Sequence, residues 1–295
     1  MPTVALPMGN IHYEKVGPDD GRPVVFIHGY AMGASLWRPL TERLAADGFS
    51  CVAPTWPLGA HPEPMRPDAA LTVEAIAAMV GALLDELYLE DVVLVGNDTG
   101  GAIAQVVATT APARLGALVL TSCDAFEHFP PPILKPLIAA AKFGPTFTAA
   151  LQPLRTRLGR HRAYGALAHA DIDGLVAEWL EPALADSKVR HDLRRLTASL
   201  NQRTMVHAAE RLPRFTKPTL IAWSSDDVFF PLEDGERLAA TLPNSRLEVV
   251  GRARTFSMID QPDELAGLIA DFAEDRQIGS THRGQPERLR DEMSR

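Results

Sequence analysis

The sequence predicts an α/β fold, with a mostly parallel central sheet flanked by helices and a helical segment inserted late in the chain. Three observations carry this expectation. Short valine-rich apolar runs alternate with amphipathic stretches from Ile11 to Thr121, the pattern of a parallel sheet covered on both faces. The alternation stops at Ser122, and no convincing strand follows until Pro218. Between them, Gly96-Asn97-Asp98-Thr99-Gly100 joins a buried-strand run, Val92-Val93-Leu94-Val95, to an alanine-rich helical stretch.

The elements follow in order. Ile11 to Val16 reads as a first strand, closed by the turn residues Gly17-Pro18-Asp19-Asp20-Gly21. Pro23 to Ile27 is a second, buried strand running into His28-Gly29-Tyr30. Ser35 to Gly48 has helical periodicity and a glycine stop. Phe49 to Ala53 is another strand, and the four prolines between 54 and 64 forbid regular structure after it. Thr72 to Tyr88 is a long amphipathic helix, and Leu115 to Thr121 a strand. From Asp124 to about Leu212 the pattern is helical and rich in arginine. Strand and helix return with Pro218 to Trp223, Arg246 to Val250 and Pro262 to Phe272. The expected organisation is a core over 1–123, a helical cap over 124–212, a second core part over 213–274, and a flexible polar tail over 275–295.

Composition narrows the function classes. The chain has 295 residues, 46% of them hydrophobic, which supplies a substantial core. A formal charge of -8 argues against nonspecific nucleic-acid binding. No leader pattern and no apolar run of spanning length is evident, so the expectation is a cytoplasmic protein without membrane attachment. Two cysteines, Cys51 and Cys123, fall at or near buried strands, and free thiols are expected. Too few soft ligands occur for a metal site, and neither metal nor cofactor is expected. The expected partner is a small-molecule substrate; oligomeric state is not legible.

The join at Asp98 has the small-x-nucleophile-x-small frame of a nucleophile elbow, with aspartate where serine is commoner. Its glycines answer a steric need, since a Cβ on either side would strike neighbouring backbone. The N-terminus of the following helix favours negative charge at that point. Together with His28-Gly29 after an early strand and Ser224-Ser225-Asp226-Asp227-Val228-Phe229-Phe230-Pro231 after a late one, it resembles the α/β-hydrolase superfamily. The resemblance covers roughly residues 20 to 275, and is nearest to the aspartate-nucleophile branch with a helical cap, which includes haloalkane dehalogenases and epoxide hydrolases. It implies an α/β-hydrolase fold, Asp98 as nucleophile, the backbone N–H groups of Tyr30 and Thr99 as oxyanion hole, and Asp227 as the acid that orients a histidine. Asp226 is the less favoured neighbour.

The histidine itself is missing. Where the superfamily carries it, this chain reads Gly251-Arg252-Ala253-Arg254-Thr255-Phe256-Ser257, with Thr255 at the histidine position. A carboxylate ionised near neutrality needs no base to attack an sp³ carbon. Hydrolysis of the resulting ester does need one. His61, on its proline-rich mount, and His128 are candidate replacement bases, while His28 is expected to be structural. His161, His169, His191 and His207 cannot be positioned from sequence. The tryptophan that usually follows the nucleophile in that branch is Thr99 here, and the cap holds one tyrosine, Tyr164, where epoxide hydrolases present two. Ordinary esters are disfavoured, because carboxylate attack on them gives an anhydride. The arginine clusters at Arg155, Arg157, Arg160 and Arg162, and at Arg190, Arg194 and Arg195, read first as a solvated helix face, with two of them able to face a cleft. The reading is a cofactor-independent hydrolase acting through Asp98 on a small organic substrate. Two alternatives stay open: a ligand-binding pseudoenzyme, and a lyase or isomerase with Asp98 as general base.

Overall fold

The computed structural model describes residues 1–274; the expected polar tail 275–295, His282 included, lies outside the described residues. The valine-rich runs become strands because their branched side chains pack on both faces of a pleated sheet. Val92, Val93, Leu94 and Val95 are fully buried, as are Val24, Val25, Phe26 and Ile27. Each such side chain contributes about 1.5–3 kcal/mol by leaving water.

The strands are β1 (Thr3–Leu6), β2 (Gly9–Val16), β3 (Pro23–Ile27), β4 (Ser50–Pro54), β5 (Val92–Asp98), β6 (Leu115–Cys123), β7 (Thr219–Ser224) and β8 (Ser245–Val250). They form one eight-stranded sheet in the order β1-β2-β4-β3-β5-β6-β7-β8. β1 and β2 run antiparallel to their neighbours, and every pair from β4 to β8 is parallel. This is the mostly parallel, helix-flanked sheet of an α/β-hydrolase fold. β1 was not legible in the sequence. It is a four-residue edge strand whose first three residues are not buried, so it lacks a hydrophobic signature.

The helices of the core are α1 (Arg38–Ala46), α2 (Val73–Glu86) and α3 (Thr99–Thr110). The expected helix from Ser35 opens as a 3₁₀ turn, Ala34–Trp37, with Pro39 in the first turn of α1. Thr72 caps α2 by accepting from the Ala75 N–H at 3.1 Å. Between β6 and β7 stand α4 (Lys135–Ala141), α5 (Gly144–Leu151), α6 (Arg157–Tyr164), α7 (Asp173–Ala185), α8 (Ser187–Ser199) and α9 (Gln202–Arg211). No strand interrupts this stretch. α10 (Leu232–Thr241), α11 (Ser257–Asp260) and α12 (Pro262–Glu274) complete the chain. Among the described residues no helix is long and apolar enough to cross a membrane.

The inserted helices are tied to the core by hydrogen bonds between buried groups. Trp179 Nε1 of α7 donates to Ser35 Oγ at 2.8 Å. Tyr164 Oη of α6 donates to the Ala31 carbonyl at 3.2 Å. The Tyr30 and Thr197 hydroxyls meet at 2.5 Å, and the Met65 N–H donates to Asp192 of α8 at 2.8 Å.

Two glycines let the site close up. A Cβ on Gly100 would lie 2.0 Å from the Ile27 carbonyl oxygen of β3, and one on Gly29 would lie 2.2 Å from Asp98 Oδ1. The first obstacle is backbone of a central strand and cannot swing aside. Gly100→Ala is therefore expected to cost about 3 kcal/mol. Gly81, in the middle of α2, is the contrast, since a Cβ there meets only the Ala111 methyl at 3.9 Å. Gly81→Ala should stabilise by about 0.5–1 kcal/mol through helix propensity. Urea melts of both variants check the pair, and a Gly100→Ala as stable as wild type would contradict the close approach.

Candidate active site

The floor of the site is the turn between β5 and α3. Asp98 sits there at φ 54° and ψ -133°, a backbone conformation rarely taken by residues with a Cβ. The turn leaves its carboxylate against two backbone donors. Oδ1 accepts the Thr99 N–H at 2.6 Å and the Tyr30 N–H at 3.1 Å. Among the described residues Oδ2 accepts no hydrogen bond, and Asp98 lines a cavity of about 410 Å³. So the structure brings Asp98, Thr99 and Tyr30 together as the sequence led us to expect, and the two N–H groups hold an oxygen of Asp98 itself.

His28 fixes the turn that carries Tyr30. It is fully buried, and burial pushes its imidazole down to about 4, so it is neutral. Its Nε2 accepts the Trp56 N–H at 2.9 Å. That leaves the proton on Nδ1, which donates to the Gly29 carbonyl at 3.0 Å. The role is structural, as expected.

Asp227 lies after β7. Its Oδ1 accepts from the Phe229 and Phe230 N–H groups at 2.8 and 3.0 Å, and from Thr255 Oγ1 at 3.1 Å. Thr255 thus stands on the acid, where a histidine was expected by position. Asp227 Oδ2 is buried without a partner among the described residues. Asp226 points elsewhere, to His169 Nε2 at 2.9 Å.

The candidate replacement bases are not in the cavity. His61 is buried beside Asp192 of α8, with Nε2 3.5 Å from Oδ2. His128 holds Asp234 at 2.8 Å and is more than half exposed. Neither lines the cavity that contains Asp98, nor does any other histidine among the described residues.

Sequence reasoning missed two contributors. Asn97 is buried, and its Nδ2 donates to the carbonyls of Thr121, Ser122 and Thr255 at 3.2, 3.1 and 2.9 Å. It ties the end of β6 and the Thr255 loop to the elbow. An asparagine inside an apolar strand was the available signal. Asp124, directly after β6, is buried and accepts from Thr99 Oγ1 at 2.9 Å. An acid at the carboxyl end of a parallel strand was signal enough to include it.

Of these three carboxylates only Asp98 lines the cavity, and among the described residues no lysine or arginine pairs with Asp98, Asp124 or Asp227. Burial raises Asp98 above its ordinary value; the Thr99 and Tyr30 N–H groups pull it back, and the Asp227 charge adds to the rise. Asp124 is raised well above, first by burial and then by Asp98. Asp227 is raised by burial. Two phenols, Tyr30 and Tyr164, also line the cavity, and burial pushes both of them up. No group of three or more possible metal ligands occurs among the described residues.

The arginines of the inserted helices resolve individually. Arg157 and Arg160 pair with Asp171 and Asp173. Arg155, Arg190, Arg194 and Arg195 donate to main-chain carbonyls. Arg162 lines the cavity.

Comparison with known proteins bears on the fold. A family profile described as alpha/beta hydrolase fold matches residues 22–262. A 2-hydroxy-6-oxononadienedioate/2-hydroxy-6-oxononatrienedioate hydrolase of Pseudomonas putida is 29% identical over 274 residues, covering 89% of this chain and 91% of the relative. Among solved structures, a haloalkane dehalogenase from Bradyrhizobium elkani superposes with a TM-score of 0.76 at 19% identity, covering 94% of this chain and 98% of the other. The enol-lactonase from Burkholderia xenovorans superposes at 0.72 and 18%, covering 92% and 99%. At those identities the structural likeness speaks for the fold alone. The sheet order, the elbow and the family profile covering most of the chain make one conclusion: this protein belongs to the α/β-hydrolase family, and with its relatives it is a hydrolase.

Proposed function

We propose that this hydrolase uses Asp98 as a nucleophile on an sp³ carbon of a small, largely apolar substrate, and that Asp227 serves the second half of the reaction. The observation that carries the reading is the double donation to Asp98 Oδ1. Those donors are of most use if Oδ1 itself becomes an oxyanion. Oδ2, free of hydrogen bonds, attacks carbon; the carbon–halogen or carbon–oxygen bond breaks, and its electron pair leaves with the heteroatom. Asp98 is now an ester whose carbonyl oxygen is Oδ1. Water adds to Cγ, the negative charge falls on Oδ1 between the two N–H groups, and collapse releases the alcohol. A carbonyl substrate would instead need those N–H groups for its own oxygen, and here Asp98 occupies them. That separates this reading from the activity named for the Pseudomonas putida relative.

The attacking water must lose a proton. Asp227 is the acceptor in this proposal, since its Oδ2 has no partner and burial raises its proton affinity. Thr255 holds Oδ1 in the position where a histidine would stand. The helices between β6 and β7 act as a cap that gives the cavity its apolar walls. A second reading draws on the raised Asp98: a carboxylate with high proton affinity can abstract a substrate proton with no covalent step.

Intact-protein mass spectrometry after incubation with bromoalkanes and terminal epoxides tests the reading. Wild type is expected to gain the mass of an alkyl group, and Asp98→Asn to gain none. Asp227→Asn should lengthen the lifetime of the adduct by about 10²-fold. A single turnover in ¹⁸O water should leave label on Asp98. Product without adduct or label would support the general-base reading instead.

A pH series checks the electrostatics. Because the folded state raises Asp98 above the unfolded value of 3.8, its contribution to stability is full below that value and is lost as pH rises through the folded one. Asp98→Asn lacks this loss. At pH 7 it should melt about 3 °C above wild type, with the gap closing toward pH 4. A gap that does not change with pH would contradict the raised proton affinity.

A further inference from the structure

The cavity above Asp98 has one charged residue besides Asp98 on its lining, Arg162. α6 presents Gly159, Arg162 and Ala163 to the cavity, a three- and four-residue spacing that puts them on one helix face. Arg157 and Arg160, on the other side, are each satisfied by an aspartate. Among the described residues no carboxylate or carbonyl accepts a hydrogen bond from Arg162, although every other arginine of the two cap clusters has an acceptor.

The lining also has a direction. Asp98 and Thr99 form one end. Leu151, Leu167, Leu180 and Leu193 are buried around the cavity, while Ile133, Pro153 and Arg162 are lining residues exposed to solvent and so mark the mouth. A neutral apolar molecule would leave the guanidinium without a role. The net charge of -8 works against an anion, so the unpaired guanidinium is the local feature that would draw an organic anion to the mouth. Its charge would be held away from the Asp98 carboxylate, leaving its apolar end toward Asp98. A guanidinium suits this task because its planar fork matches a carboxylate with two parallel hydrogen bonds.

We propose that the cavity takes an amphipathic carboxylic acid, with Arg162 binding the carboxylate at the mouth and the apolar, reacting end carried down to Asp98. This rests on the reading of the cavity above Asp98 as the substrate site, but not on Asp98 being a nucleophile.

Calorimetric titration with octanoate and 1-octanol, which share length and lack a reactive carbon, tests the assignment without turnover. Wild type should bind octanoate about tenfold more tightly than octanol, with the preference shrinking as salt is added. Arg162→Gln should bring the two within twofold, Arg162→Lys should keep part of the preference, and Arg157→Gln should keep all of it. Equal binding of both ligands by wild type, or a preference that survives Arg162→Gln, would overturn the assignment and leave the cavity reading intact. If neither ligand binds wild type, or a cavity-filling Leu154→Trp leaves their binding unchanged, the cavity reading falls and this proposal with it.

Discussion

Two backbone N–H groups on one oxygen of a carboxylate, with no lysine or arginine paired to it among the described residues, are the constraint around which this molecule is arranged. The Tyr30 and Thr99 donors come from different strands' ends and meet only because Gly29 leaves room for Asp98 Oδ1 and Gly100 lets α3 approach β3. The neutral, doubly bonded His28 holds one of the two turns, and Asn97 ties the other to β6 and to the loop of Thr255. A carboxylate held by neutral donors keeps its charge localised and reactive. An arginine in the same place would lower its proton affinity and mask it.

The balance of the site follows from that choice. With burial as the leading cause, Asp98, Asp124 and Asp227 are all raised, and each charge makes its neighbours' ionisation harder. Backbone donors supply partial compensation at Asp98 and at Asp227. At Asp124 a single hydroxyl does so, so it is the one most strongly raised by burial and by its neighbour. Threonine at position 255 suits this acid-rich floor, because a hydroxyl donates to Asp227 without bringing a titrating group of its own.

Much of this was legible in the sequence, for identifiable reasons. Buried parallel strands announce themselves by continuous apolar runs, and the elbow by glycines whose spacing only a sharp strand-to-helix turn requires. The elbow glycines marked Asp98, while Thr99, Tyr30 and Asp227 were singled out by the resemblance to the α/β-hydrolase superfamily. What sequence could not yield was anything decided by side-chain direction. His61 and His128 lie in loops at the correct end of the sheet, yet each is captured by an aspartate from a distant segment, Asp192 and Asp234. The cap arginines looked alike in sequence and separate only when their acceptors are known. Edge strand β1 escaped notice because its residues alternate neither in polarity nor in burial strongly enough to be read.

Four buried ties run between the inserted helices and the core, from α6, α7 and α8 to the segment after β3 and the proline-rich loop. Lifting the helices as a rigid flap would break several buried hydrogen bonds at once, and each group so exposed would need water to replace its partner. Traffic into the cavity is then a matter of side chains at the rim moving aside on the nanosecond scale rather than of a domain opening on the millisecond scale. In such a vessel the width of the neck governs which molecules exchange and how fast, and whatever is formed beside Asp98 leaves through the same opening its precursor entered.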